Sequence, residues 1–126
     1  MRVLVAEDNI VNQKVAVRIL EKMGIRVDVA ANGREAVAML RMLPYDCVFM
    51  DCQMPEMNGY EAATEIRRQE STGRHIPIIA MTAEILGDGR QRCLVSGMDD
   101  FISKPIQIQT LVDALKRWAP ASQQQV

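Results

Sequence analysis

Two hydrophobic periods take turns along this chain, and that alternation restricts its fold more than any other feature. Short apolar runs rich in β-branched residues alternate with longer segments whose apolar residues recur every three or four positions, the marks of strands and helices respectively. Residues 2–6 read as a strand and 9–23 as a helix, with Val11, Val15, Ile19 and Met23 every fourth residue along one apolar face. Asp8 or Asn9 can cap that helix and Gly24 can end it. Residues 26–30 alternate polar and apolar, as a half-exposed edge strand does. Asn32-Gly33 marks a turn, and a helix over 34–42 stops ahead of Pro44. Residues 46–50 are apolar on both faces after Asp46, which places this strand in the middle of a parallel sheet. A loop over 51–59, with Pro55 and Asn58-Gly59, leads to a helix over 60–70. After a loop at 71–74 come a strand over 76–81, a weaker helix over 84–96 interrupted by Gly87 and Gly89, and a short strand over 100–102. Lys104-Pro105 breaks the chain before a last helix over 107–118.

Strict βα alternation implies an open parallel sheet with helices on both faces. With right-handed crossovers and five strands, the expected architecture is a doubly wound α/β, flavodoxin-like fold of strand order 2-1-3-4-5 with five helices. A length of 126 residues, 48% of them apolar, suits one domain, expected over 1–119 and followed by a polar, glutamine-rich tail at 120–126 expected to be disordered. The 15 basic and 16 acidic side chains leave a net charge of -1, without the basic excess that binding to nucleic acid or an anionic membrane requires. No apolar run approaches a membrane span, and the opening residues are too short and valine-rich for a secretory leader, so the domain is read as cytoplasmic. Cys47, Cys52 and Cys93 have no CxxC spacing, which argues against a disulfide framework or a zinc site and for packed thiols in a reducing compartment.

In a doubly wound sheet, ligands bind beyond the carboxyl ends of the strands, at the point where the order reverses. Just past the first strand come Glu7 and Asp8, past the third Asp51, past the fourth Thr82, and past the fifth Ser103, Lys104 and Pro105. Three carboxylates, a hydroxyl and an ammonium therefore converge on one crevice. Acids held this close repel one another unless a cation compensates. Mg²⁺ takes oxygen ligands through few carboxylates and leaves positions for phosphate oxygens, which Lys104 and Thr82 can also meet. A carboxylate can act as nucleophile and form an acyl phosphate, and Asp51, on the central strand between the acidic pair and the lysine, is the best placed to do so.

These stretches resemble the receiver domain of two-component response regulators: Val3-Leu4-Val5-Ala6-Glu7-Asp8-Asn9, Met50-Asp51-Cys52-Gln53-Met54-Pro55-Glu56-Met57-Asn58-Gly59, Ala80-Met81-Thr82-Ala83 and Gly97-Met98-Asp99-Asp100-Phe101-Ile102-Ser103-Lys104-Pro105. The resemblance runs over about 2–118. It implies that Asp51 accepts a phosphoryl group from phosphohistidine and that Mg²⁺ is bound by Asp8 directly, Glu7 through water, Asp51, and the main-chain carbonyl of Gln53. It further implies that Thr82 and Phe101 are the switch pair, that Lys104 binds phosphate, and that a cis peptide precedes Pro105. Gln53 and Glu84 would flank the water that removes the phosphate. The implied partners are a histidine kinase or a histidine phosphotransfer protein, with a homodimer through the 84–118 face as a further expectation.

The wording Asp51-Cys52-Gln53-Met54-Pro55 and Gly97-Met98-Asp99-Asp100 resembles receivers of hybrid sensor histidine kinases, so the full-length chain would be a kinase tethered to a membrane sensor. A stand-alone response regulator is the alternative. A Mg²⁺-dependent hydrolase of small phosphate esters is a third reading; it needs a second acid near the nucleophile, for which Glu56 is the candidate, and a cap over the substrate. His75, the one histidine, is read as a solvated loop residue rather than a phosphodonor. Cys52 is read as packing, its side chain on the face opposite to that of Asp51.

Overall fold

The computed structural model describes residues 1–71, 73–83 and 88–118. Its elements are β1 (Arg2–Ala6), α1 (Ile10–Lys22), β2 (Arg26–Ala30), α2 (Gly33–Met42), β3 (Cys47–Asp51), α3 (Gly59–Gln69), β4 (Ile78–Thr82), α4 (Asp88–Val95), β5 (Asp100–Ser103) and α5 (Ile108–Trp118). All strand pairs are parallel, in the order β2-β1-β3-β4-β5. The doubly wound fold expected from the alternation is the one observed. The expected tail at 120–126 and the start of the helix expected at 84–96 lie outside the described residues.

Successive strand residues point to opposite faces, and each face has its own core. Leu4, Val48, Met50, Ile78 and Ala80 pack against Ala36 and Val37 of α2, Ala62, Ala63 and Ile66 of α3, and Cys93 of α4. Val3, Val5, Phe49, Ile79 and Met81 pack against Ala16, Ile19 and Leu20 of α1 and Leu111, Ala114 and Leu115 of α5. Every residue of β3 and β4 is buried, whereas β2 is the partly exposed edge.

Three asparagines start the first three helices. Asn9, Asn32 and Asn58 each accept a hydrogen bond from the backbone N–H three residues on, and Asn58 and Glu61 form a reciprocal capping box. Gly24, at φ 79°, follows the last turn of α1 in the left-handed conformation that suits glycine there.

The expected face of α1 is corrected. Val11 is 68% exposed, Val15 and Met23 are exposed too, and the buried residues are Ala16, Ile19 and Leu20. Steps of four residues advance about 40° beyond a full turn each time, so a strict every-fourth series winds off the buried stripe. β3 begins at Cys47 rather than 46, because Asp46 turns its carboxylate to the Arg2 N–H at 2.8 Å. β4 begins at Ile78 rather than 76, after Pro77, which has no N–H to donate. Both β4 and β5 run one residue further than expected, because Thr82 and Ser103 pair with each other.

The amino ends of β4 and β5 are tied together by Arg67. Its Nε donates to the Gly97 carbonyl at 2.8 Å, Nη1 to the Ile76 carbonyl at 2.8 Å and to Glu70, and Nη2 to Asp99 at 2.7 Å. Asp99 also accepts from the Ile78 N–H at 2.8 Å and lies 2.5 Å from His75 Nε2. His75 is thus exposed, as expected, but engaged with a carboxylate.

Candidate functional site

β1, β3, β4 and β5 end together. Ala6 pairs with Met50, Asp51 with Met81 and Thr82 with Ser103, so the residues that end or follow these strands fall side by side. Carboxylate oxygens of Glu7, Asp8 and Asp51 lie within 4.8 Å of one another. Glu7 and Asp51 are buried and Asp8 is exposed, so the cluster opens to solvent on the Asp8 side.

Lys104 bridges the two buried acids. Its Nζ is 3.0 Å from Glu7 Oε1 and 3.0 Å from Asp51 Oδ2. The other Asp51 oxygen accepts from the Gln53 N–H at 3.1 Å, and the other Glu7 oxygen from the Asn9 N–H at 3.2 Å. Glu7 Oε1 is fully buried and, despite the nearby ammonium, has no properly aligned hydrogen-bond donor among the described residues. Burial, then the neighbouring Asp51 carboxylate, push the Glu7 carboxyl above its ordinary range, against the opposing pull of Lys104 and the Asn9 N–H. Burial alone would lower the Lys104 pKa, but its contacts with Asp51 and Glu7 outweigh that and raise it.

The backbone fixes these groups. Gln13 donates its carboxamide N–H to the Glu7 carbonyl at 2.6 Å, and the Glu7 N–H donates to Ala30. The Lys104 N–H donates to the Thr82 carbonyl at 3.0 Å, and the peptide from Lys104 to Pro105 is cis. The loop after β3 is clamped by two glycines: a Cβ at Gly59 would lie 2.3 Å from the Asp51 carbonyl oxygen, and one at Gly33 would lie 2.3 Å from that of Met57. Glu56, at φ 64°, accepts from the Asn32 side chain at 3.0 Å, which commits its carboxylate to the start of α2.

Glu7, Asp8, Asp51 and Lys104 are therefore brought together as the sequence implied, with Thr82 buried at the end of the adjoining strand. Phe101 lies on β5, half-buried against the α2–α4 core, with the Arg90 guanidinium 5.2 Å from its ring centroid. Glu84 lies outside the described residues. Sequence reasoning missed Gln13; its signal was a polar residue one turn after the Asn9 cap, on the side of α1 nearest β1.

An open five-stranded α/β sheet carrying an acidic crevice at its order reversal defines a doubly wound protein with its candidate site at the switch point. The model of the response regulator receiver domain matches residues 3–116, and the chain belongs to that family. The hybrid signal transduction protein dokA of Dictyostelium discoideum is 46% identical over 116 residues, which are 92% of this chain and 7% of that protein. The chain thus spans a small fraction of the curated relatives it matches. The crystal structure of the receiver domain of sensor histidine kinase PA1611 from Pseudomonas aeruginosa, with magnesium coordinated in its active-site cleft, is 44% identical, with TM-score 0.85 over 93% of this chain and 95% of that one. The receiver domain of Ssk1 from Saccharomyces cerevisiae, crystallised with the histidine phosphotransfer protein Ypd1, is 30% identical, with TM-score 0.88 over 94% and 88%.

Proposed function

We propose that this receiver domain takes a phosphoryl group onto Asp51 from the phosphohistidine of a kinase or a histidine phosphotransfer protein, with Mg²⁺ as cofactor. The observation that carries the reading is the pair of buried carboxylates, Glu7 and Asp51, bridged by Lys104, with Asp8 within 4.8 Å at the solvent side. An Asp51 carboxylate oxygen attacks phosphorus, the P–N bond to the donor imidazole breaks, and that nitrogen keeps the electron pair. Lys104 neutralises charge on the phosphoryl oxygens. Thr82, buried at the end of β4, would donate a hydrogen bond to one of them.

The donor set fits a hard dication: it is all oxygen, and a buried oxygen of Glu7 lacks an aligned donor. Asp8 and Asp51 would hold Mg²⁺ directly, Glu7 through water, and the Gln53 carbonyl would add a ligand. Bound there, the ion supplies positive charge for the three acids and for the incoming phosphoryl oxygens. The PA1611 structure, with magnesium in its cleft, supports the assignment.

The full-length protein is read as a hybrid sensor histidine kinase, supported by relatives such as dokA. The domain is placed at the cytoplasmic side of such a sensor. No helix among the described residues is long and apolar enough to cross a membrane. Exposed Ile10, Val11 and Val15 on α1, beside the crevice, offer an apolar rim on which a phosphodonor protein can dock. Output runs through Thr82, Phe101 and the 84–118 face, where a second copy is a candidate partner. The hydrolase alternative is disfavoured because Glu56 is committed to Asn32.

Incubation with acetyl phosphate and Mg²⁺ tests the reading by intact mass. Wild type is expected to gain one phosphate, and Asp51→Asn none. Equal labelling of the two proteins refutes the acceptor assignment.

A further inference from the structure

The Glu7 carbonyl lies past the end of β1 and ahead of the first turn of α1. Neither the sheet nor the helix supplies it with a partner, and no main-chain N–H among the described residues reaches it. The Gln13 carboxamide does, at 2.6 Å. Gln13 sits one turn beyond the Asn9 cap, half-buried in a groove between α1 and β2 beside Val17 and Val29. Its neighbours in the turn are pinned as well. The Glu7 N–H donates to the Ala30 carbonyl at 2.9 Å, the Asn9 N–H to Glu7 Oε2 at 3.2 Å, and the Asn12 N–H to Asn9 Oδ1 at 3.1 Å.

Asp8 is the exception in this turn. Its carboxylate is exposed and has no hydrogen bond or ion pair among the described residues. Only the main chain on either side aims it. A peptide unit is planar, so pinning the Glu7 oxygen constrains the plane that ends at the Asp8 Cα, and with it the direction in which that side chain leaves the backbone.

We propose that Gln13 is a positioning residue of the crevice, which fixes the Glu7–Asp8 peptide, aims the Asp8 carboxylate at the metal position and makes the site select Mg²⁺ over Ca²⁺. This role rests on the reading of the crevice as a Mg²⁺ site, and it falls to a residue that touches neither metal nor phosphate. Mg²⁺ is small and demands near-ideal octahedral geometry, whereas Ca²⁺ accepts more oxygens in looser arrangements. A crevice whose exposed ligand is free to swing therefore loses affinity for the first ion more than for the second.

The test titrates metal-free wild type, Gln13→Met, Asp8→Ala and the double variant with Mg²⁺ and with Ca²⁺ by calorimetry. Methionine keeps the reach of glutamine, adds no charge and removes the donor. Gln13→Met is expected to lower Mg²⁺ affinity by at least about tenfold, as loss of an outer-shell partner does, and Ca²⁺ affinity by less, so that the ratio of the two narrows. In acetyl phosphate labelling, the Mg²⁺ concentration giving half the maximal rate is expected to rise by the same factor, with the rate recovered at saturating Mg²⁺. In the Asp8→Ala background, Gln13→Met is expected to change Mg²⁺ affinity by less than about twofold, because a residue that acts through Asp8 has nothing left to aim. Urea unfolding without metal checks that each variant folds, and Gln13→Asn, one methylene too short, repeats the comparison where Gln13→Met does not. Wild-type Mg²⁺ affinity in Gln13→Met overturns the positioning role. Equal losses for the two ions overturn the selectivity, and a full further loss in the double variant overturns the route through Asp8. Unchanged Mg²⁺ affinity in Asp8→Ala counts instead against the metal site itself.

Discussion

The two ends of the sheet handle charge in opposite ways. At the amino ends of β4 and β5, Arg67 meets Glu70, Asp99 and two backbone carbonyls, and Asp99 is further satisfied by the Ile78 N–H and His75. At the carboxyl ends, three acids share one lysine, and a buried Glu7 oxygen lacks an aligned donor. The first network is closed and holds elements together. The second is short of positive charge, which leaves it ready for a cation. Polar satisfaction thus separates an end built for stability from an end built for chemistry.

The largest expected effect breaks the closed end. Arg67→Ala strands Asp99 and Glu70 with their partner gone, and should cost about 3 kcal/mol, as removal of one member of a mostly buried ionic network does. Urea unfolding checks this; a loss within about 0.5 kcal/mol, ordinary for a surface site, would erase the contrast between the ends.

At the open end, Asp8→Ala should lower Mg²⁺ affinity by at least about tenfold, the cost typical of losing even an outer-shell partner, read by calorimetry. Unchanged affinity would move the metal elsewhere.

Glu7→Gln should have a smaller effect, and of opposite sign on the metal-free fold: about 1 kcal/mol more stable at neutral pH, because it removes a buried charge that repels Asp51. The sign follows from the raised Glu7 pKa. Stability from such a group is complete below its ordinary value of 4.5 and is lost as pH rises through its folded value. The advantage of the variant should therefore be absent in acid, grow as pH climbs through that window and level off above it. Urea titrations of both proteins without metal, at acid and neutral pH, measure it; a constant difference would mean that Glu7 is not strained.

The smallest effect concerns the phenols. Burial, then the hydrogen bond to Asp28, push Tyr45 up to about 12, and burial with the neighbouring Cys52 raises Tyr60 as well. Neither tyrosine should ionise at pH 10, where free phenol is half-ionised, as ultraviolet absorbance will show. The stability that Tyr45 contributes is complete below 10 and lost between 10 and about 12.

The fold was legible because strand and helix periods are local properties, although the bounds of β3, β4 and β5 shifted by one or two residues. The crevice was legible for the same reason: Glu7, Asp8, Asp51, Thr82 and Lys104 all end or follow strands, so strand order alone brings them together. Arg67 was not legible. An arginine in the last turn of a helix already has a local explanation in the helix dipole, and its partners Gly97 and Asp99 lie 30 and 32 residues away. The face of α1 misled because exposed Val11 and Val15 look like core when burial is inferred from hydrophobicity alone.

The two glycines that clamp the loop after β3 bear on how this domain tolerates change. Gly33 and Gly59 carry no functional group, yet a single methyl at either would press on main-chain oxygen at 2.3 Å, and backbone cannot swing aside as a side chain can. Alanine at Gly59 would displace the peptide of Asp51 itself. A saturation library scored for signalling should thus find these two positions as unforgiving as Asp51, and anyone grafting the crevice onto another scaffold must carry over two empty spaces along with the acids and the lysine.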